Sequence, residues 1–176
     1  MRYFNTSGPN ILAKHYTLPR LDIIEEGVKK IYDDRYFTIW APRQTGKSTY
    51  FRLLADRLET EGYKVAYVNF ENFKHQSLKD FLIRLNNHLT LYWGIVFQQT
   101  TLAAVFEQIE SLTHLKLVLI IDEVEGINAE YFGDVLHSIR NAYHSRSNHG
   151  LKSVILVGVI LLNVRFCANA HLILKK

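Results

Sequence analysis

Apolar residues recur along this chain at two alternating periods, and the alternation outlines a fold. Leu21, Ile24, Val28 and Ile31 stand three to four apart and predict a helix over Leu21 to Tyr32. Arg35 to Ala41 reads as a strand. Helical spacing returns over Ser48 to Glu61, with Phe51, Leu54 and Leu58 on one face and Gly62 to stop it. Lys64 to Phe70 predicts a second strand through Val65, Tyr67 and Val68. Leu78 to Leu91 carries the stripe Phe81, Leu82, Leu85 and Leu89, and Thr101 to Leu112 is a further helix. Lys116 to Ile121 is an unbroken apolar run, the pattern of a strand covered on both faces. Ala129 to His144 is helical again, and Ser153 to Val157 is another buried strand. Residues 1–19 hold all but one of the prolines and predict an extended arm or small hairpin leading to a cap. This alternation of strands and helices predicts an α/β sandwich around a mostly parallel sheet, with no repeat or linker.

Composition narrows the partners. The chain has 176 residues, 48% hydrophobic and 22% charged, enough for one domain with a real core. A net charge of +4 suits a polyanionic ligand, but no basic stripe establishes nucleic acid. The one cysteine, Cys167, excludes an internal disulfide and a Cys-rich zinc site. Met1 to Pro9 has no apolar core of a signal peptide, and Leu115 to Ile121 and Ser153 to Leu162 are too short to span a bilayer. The expectation is a cytoplasmic protein with no membrane partner.

The chemistry begins where the first strand meets the second helix. Ala41-Pro42-Arg43-Gln44-Thr45-Gly46-Lys47-Ser48 is a tight loop ending in Gly-Lys-Ser at a helix start. Gly46 lets the backbone curl so that successive N–H groups point at phosphate oxygens, and the helix adds its positive end. Lys47 would reach the β and γ phosphates, and Ser48 would place a hydroxyl on Mg²⁺. Residues Ala41 to Ser48, with Thr49 after them, are therefore the expected cofactor-binding set. Alanine at 41 replaces the usual first glycine and still permits a close turn. Arg43 is expected in solvent.

Asp122 and Glu123 end the apolar run. At the C-terminal edge of a parallel strand, Asp122 can hold Mg²⁺ through water, and Glu123 can orient and deprotonate a water for attack on the γ-phosphate. Glu123 and Lys47 are thus the catalytic candidates, and Ser48 and Asp122 the metal candidates. Acids that merely close a buried strand are the alternative, which the upstream Gly-Lys-Ser loop weakens. A glutamate directly after the aspartate, with no Asn-Lys-x-Asp motif, favours ATP over GTP. Glu125 is expected to be solvated, with an acid that supports the site from behind as the alternative. His137, His144, His149 and His171 lack metal-ligand spacing, and Tyr92, Trp93 and Trp40 are expected in packing roles.

These strings resemble a family of AAA-like P-loop ATPases of the additional-strand, catalytic-glutamate class. The resemblance runs through Phe4 to Pro9, His15-Tyr16, Leu18-Pro19, Ala41 to Ser48, Ala66 to Asn69, Leu119 to Glu123 and Arg140 to Tyr143. It covers roughly residues 3–158. It implies a three-layer P-loop NTPase sandwich with sheet order 5-1-4-3-2, ATP and Mg²⁺ as cofactors, and an arm near Tyr16 to Arg20 bordering the adenine. It divides the chain into a 1–20 arm, a 21–159 core and a 160–176 tail.

After Val159 the chain departs from that family. Ile160 to Ala168 is apolar where a polar segment is expected, so a recognisable fifth core strand and helical lid are missing, as in a C-terminally truncated product. Leu161 to Phe166 or His171 to Leu174 could supply a replacement strand. Arg165 is expected to be a solvated tail residue, and Arg140 or Arg146 could act across a homo-oligomer. The leading expectation is ATP-Mg²⁺ binding with weak or partner-dependent hydrolysis. A non-hydrolysing switch or inactive remnant is the alternative. A nucleic-acid-associated regulator or a P-loop kinase ranks behind both, and a homo-oligomer or macromolecular partner stays open.

Overall fold

Five helices among the described residues carry one wet and one apolar side, and the sheet they bury gives the molecule its order. The computed structural model describes residues 3–4, 14–16, 20–40, 42, 45–159 and 171–173. Along the chain run α1 (Leu21–Tyr32), β1 (Phe37–Trp40), α2 (Lys47–Glu59), β2 (Tyr63–Asn69), α3 (Leu78–Trp93) and α4 (Leu102–Ser111). Then follow β3 (Lys116–Asp122), a short turn of 3-10 helix (Val124–Gly126), α5 (Ala129–His144), β4 (Leu151–Gly158) and β5 (His171–Ile173). Boundaries differ from the sequence reading by one or two residues, as helix and strand ends commonly do.

The strands lie in the order β2-β3-β4-β1-β5, and every pair is parallel. Side chains alternate between the faces, so each strand feeds two cores. On one face Phe37, Ile39, Val65, Val118, Ile120, Ile155 and Val157 pack under α1 and α2, through Val28, Ile31, Phe51, Leu54 and Leu58. On the other, Ala66, Val68, Leu117, Leu119, Ile121, Val154 and Leu156 pack under α3, α4 and α5. Both cores are dry: Leu54 and Leu119 are fully buried, and truncating either to alanine would cost about 2–5 kcal/mol. Ser77 and Asp80 form a reciprocal capping box on α3, while Thr101 and Asn128 cap α4 and α5.

The three-layer α/β class with a parallel sheet is as the sequence reads. One part of that reading is corrected. The fifth position, expected to lack a recognisable strand, is filled by β5, which pairs Thr38 with His171 and Trp40 with Ile173. It comes from the tail stretch 171–174. β1 offers an unpaired edge there, and backbone hydrogen bonding is indifferent to which sequence supplies the neighbour. The other candidate stretch, 161–166, lies outside the described residues, as do Arg165 and Cys167 and most of the span where a lid is expected. In the N-terminal arm the described contact is a parallel bridge between Tyr3 and His15, not the antiparallel pairing of a hairpin.

Candidate functional site

The site forms where α2 begins, at the C-terminal edge of the sheet. Gly46 precedes α2 at φ 86 and ψ 19, in the left-handed region, and a Cβ built on it would meet nothing within 4 Å. Glycine is needed there for its backbone conformation and not for lack of room. Thr45 Oγ1 donates to the Pro42 carbonyl at 2.8 Å and tightens the loop. Unlike α3, α4 and α5, α2 has no side chain capping it. The positive end of α2 therefore suits an anion. Lys47 is buried, Ser48 exposed and Thr49 half-buried in that turn. Ala41, Arg43 and Gln44 lie outside the described residues.

Opposite this turn, β3 delivers two acids. Asp122 is 3% exposed and anchored at both oxygens. Its Oδ1 accepts the Glu123 N–H at 2.9 Å, and its Oδ2 accepts the Tyr67 hydroxyl at 2.6 Å. The Asn69–Asp122 register of β2 and β3 sets Tyr67 within reach. Burial raises the Asp122 carboxyl above its ordinary pKa, against the opposing pull of Tyr67 and Lys47. Burial, and then the Asp122 acceptor, push the Tyr67 phenol upward, so it keeps its proton and donates.

Glu123 sits at φ 54 and ψ 50, one of two non-glycine residues with positive φ among the described residues. Such backbone costs on the order of 1–3 kcal/mol and concentrates at functional sites. The conformation turns its side chain to Lys47: Nζ lies 2.9 Å from Glu123 Oε1 and 3.9 Å from Asp122 Oδ1. The structure thus brings Lys47, Asp122 and Glu123 into direct contact. Ser48 and Tyr67 line one cavity of about 420 Å³ that runs along α2 over Phe51 and Ile120.

Glu125 corrects the sequence reading. It is half-buried, not solvated, and its Oε1 accepts the Val159 N–H at 3.1 Å. Burial raises its pKa first, with the neighbouring Glu123 carboxylate adding to the rise. Trp40 is half-buried, and its indole donates to the Val159 carbonyl.

These residues suit a magnesium nucleotide. The uncapped α2 turn and Lys47 match phosphate oxygens, and the Ser48 hydroxyl and Asp122 carboxylate are the hard oxygen donors Mg²⁺ takes. No group of three or more His, Cys, Asp or Glu that could hold a metal occurs among the described residues. Most of the ion's coordination would then fall to phosphate and water, its usual arrangement.

The remaining candidates have local roles. Arg146 lies over the Tyr143 ring, 4.0 Å from its centre, and donates to the Tyr143 carbonyl, while Arg140 is exposed. His149 is buried between the Ala142 carbonyl and the Leu151 N–H. Trp93 is buried as expected, whereas Tyr92 is 44% exposed beside the α2 cavity. Sequence reasoning missed Tyr67 as part of the site, and kept a supporting role for Glu125 only as the alternative to a solvated one. The alternation of β2 could have placed Tyr67 beside α2, but nothing local marks Glu125. Among the described residues no helix is long and apolar enough to cross a membrane.

Comparison with known proteins bears on the family and the fold. The sequence model of the AAA domain matches residues 30–166, most of the chain. The Orc1 protein of Aeropyrum pernix, solved in complex with DNA, superimposes with TM-score 0.64 at 16% identity, over 90% of this chain and 46% of its own. Cdc6p of Pyrobaculum aerophilum gives 0.61 at 15%, over 90% and 47%. A Walker-type ATPase of Pyrococcus abyssi gives 0.66 at 13%, over 88% and 48%. At such identities the likeness is one of fold, and the chain spans about half the length of these structures. None of the curated proteins matches the sequence.

Proposed function

The chain belongs to the AAA domain family, and on that premise we propose that it binds ATP with Mg²⁺ at the start of α2 and hydrolyses it weakly or with a partner's help. The observation that carries this reading is the convergence of Lys47, Asp122 and Glu123 below an uncapped helix N-terminus. The N–H groups around Gly46 and the α2 end hold phosphate oxygens. Lys47 exchanges Glu123 for the β and γ phosphates. Ser48 and Asp122 hold the ion, with Tyr67 fixing the Asp122 carboxylate. Glu123, once off Lys47, orients a water and takes its proton. Bound Mg²⁺ supplies neutralising charge to the phosphates.

A non-hydrolysing switch is the second reading, favoured by the same Lys47–Glu123 pair, because the acid must leave its cation before it can act. Phosphate release by wild type and by Glu123→Gln separates the two. Release that falls about a hundredfold or more in the variant supports hydrolysis. Release at background in both, with ATP bound, supports the switch.

Within this proposal residues 1–20 form an arm bordering the nucleotide, 21–159 the catalytic core and 160–176 a tail that adds a strand. A cytoplasmic setting belongs to the same proposal, as does any second copy or client that would supply a further arginine. The DNA in the Orc1 structure is not carried over, since the sequence has no basic stripe to receive it.

A further inference from the structure

Glu123 holds a left-handed backbone, φ 54 and ψ 50, which a non-glycine residue keeps only where its surroundings enforce it. The turn after it supplies that enforcement. Gly126 N–H donates back to the Glu123 carbonyl at 2.8 Å, closing a four-residue turn in which Glu125 stands third. Glu125 ties this turn to another strand. Its Oε1 accepts the Val159 N–H at 3.1 Å, one residue past the end of β4. Its Oε2 is buried against Gly158, where a Cβ would stand 2.7 Å away.

The other backbone group of Val159 is taken as well, because the Trp40 indole N–H donates to its carbonyl. Trp40 is the last residue of β1, lies opposite Gly158 in the β1–β4 register and directly precedes the phosphate loop. Beyond the end of that strand pairing, Val159 is held by these two side chains. One hydrogen-bonded path therefore runs from Trp40 through Val159 to Glu125 and the turn that begins at Glu123. It registers the acid turn against the strand that launches the phosphate loop.

We propose that Glu125 is a positioning residue: an acceptor of fixed reach, held through Val159 by Trp40, that sets the turn aiming Glu123 at the attacking water. The proposal rests on the hydrolysis proposed above. Reach is what acts in it, and charge is not. Misplacing a reacting group by about 1 Å costs on the order of a hundredfold in rate. The phosphate contacts at Gly46 and Lys47 do not run through Glu125. Breaking the path should therefore lower kcat without weakening Mg-ATP binding.

Two variants separate reach from charge. Glu125→Asp keeps the carboxylate and draws it back by one methylene, whereas Glu125→Gln keeps an acceptor oxygen at full reach and loses the charge. With each variant shown folded by circular dichroism, Glu125→Asp should lower kcat on the order of tenfold, and calorimetry should find Mg-ATP bound no more weakly than by wild type. Glu125→Gln should keep kcat within about twofold of wild type. Trp40→Phe should lower kcat too, and combining it with Glu125→Asp should cost less than the product of the single losses. Unchanged kcat in Glu125→Asp overturns the proposal, whatever Glu125→Gln does. Equal falls in both, or a fall matched by weaker binding, mark a merely structural role and overturn it as well, as does a full product of losses with Trp40→Phe. Wild type that binds ATP but releases no phosphate overturns the hydrolysis reading itself, and this inference with it.

Discussion

Lys47 Nζ sits 2.9 Å from Glu123 Oε1, so the cation offered to phosphate is already held by the acid proposed to orient water. Phosphate and carboxylate compete for one ammonium. Replacing Glu123 by glutamine removes the competing charge. Glu123→Gln should therefore tighten Mg-ATP binding about three- to tenfold while phosphate release collapses, a split that calorimetry and a release assay on the same sample would reveal. Weaker binding in this variant would show that the pair does not compete with the nucleotide.

The same pair predicts a cost in the ligand-free protein. Side chains of Lys47 and Asp122 are 10% and 4% exposed, so removing the cation leaves buried carboxylates unbalanced. Lys47→Met should lower stability on the order of 3 kcal/mol, and adding Glu123→Gln should recover part of the loss. Urea unfolding of the two variants measures both. An undiminished urea midpoint in Lys47→Met would mean the carboxylates find other compensation.

Tyr67→Phe removes the hydroxyl that Asp122 Oδ2 accepts at 2.6 Å. Losing that donor costs about 1 kcal/mol of stability and lets burial raise the Asp122 carboxyl further. Mg²⁺-dependent turnover should fall, and the acid limb of its pH profile should move to higher pH. A profile that keeps its acid limb would detach Tyr67 from the ion-holding carboxylate.

Glu125 makes stability depend on pH. Its pKa is raised in the folded protein above the ordinary 4.5, chiefly by burial. The folded state then binds its proton more tightly than the unfolded chain. The contribution is present in full below 4.5 and is lost as the pH rises through the raised value. Glu125→Gln should have a higher Tm than wild type at neutral pH, and the gap should close as the pH falls below 4.5. Melting curves across that range check it, and a gap that widens on acidification would reverse the sign.

How far the sequence carried depended on the range of the contacts. The Gly46-Lys47-Ser48 turn is legible because its chemistry lies within a few residues of one strand and one helix. Asp122 and Glu123 are legible because an unbroken apolar strand aims them at the same edge. Tyr67 looks like any β-former until the Asn69–Asp122 register brings its hydroxyl to Asp122. Glu125 looks solvated because the N–H that holds it belongs to Val159, on another strand's end. β5 was legible only as one of two stretches, since three short residues gain strand character from β1 and not from their own pattern.

The central claim is a phosphate site at the start of α2, and calorimetric titration of Mg-ATP into wild type and Lys47→Ala tests it most directly. The account predicts saturable binding by wild type and a loss of about a hundredfold or more in the variant, with the variant still folded by circular dichroism. Equal affinity in the two proteins, or no binding by folded wild type, would contradict it.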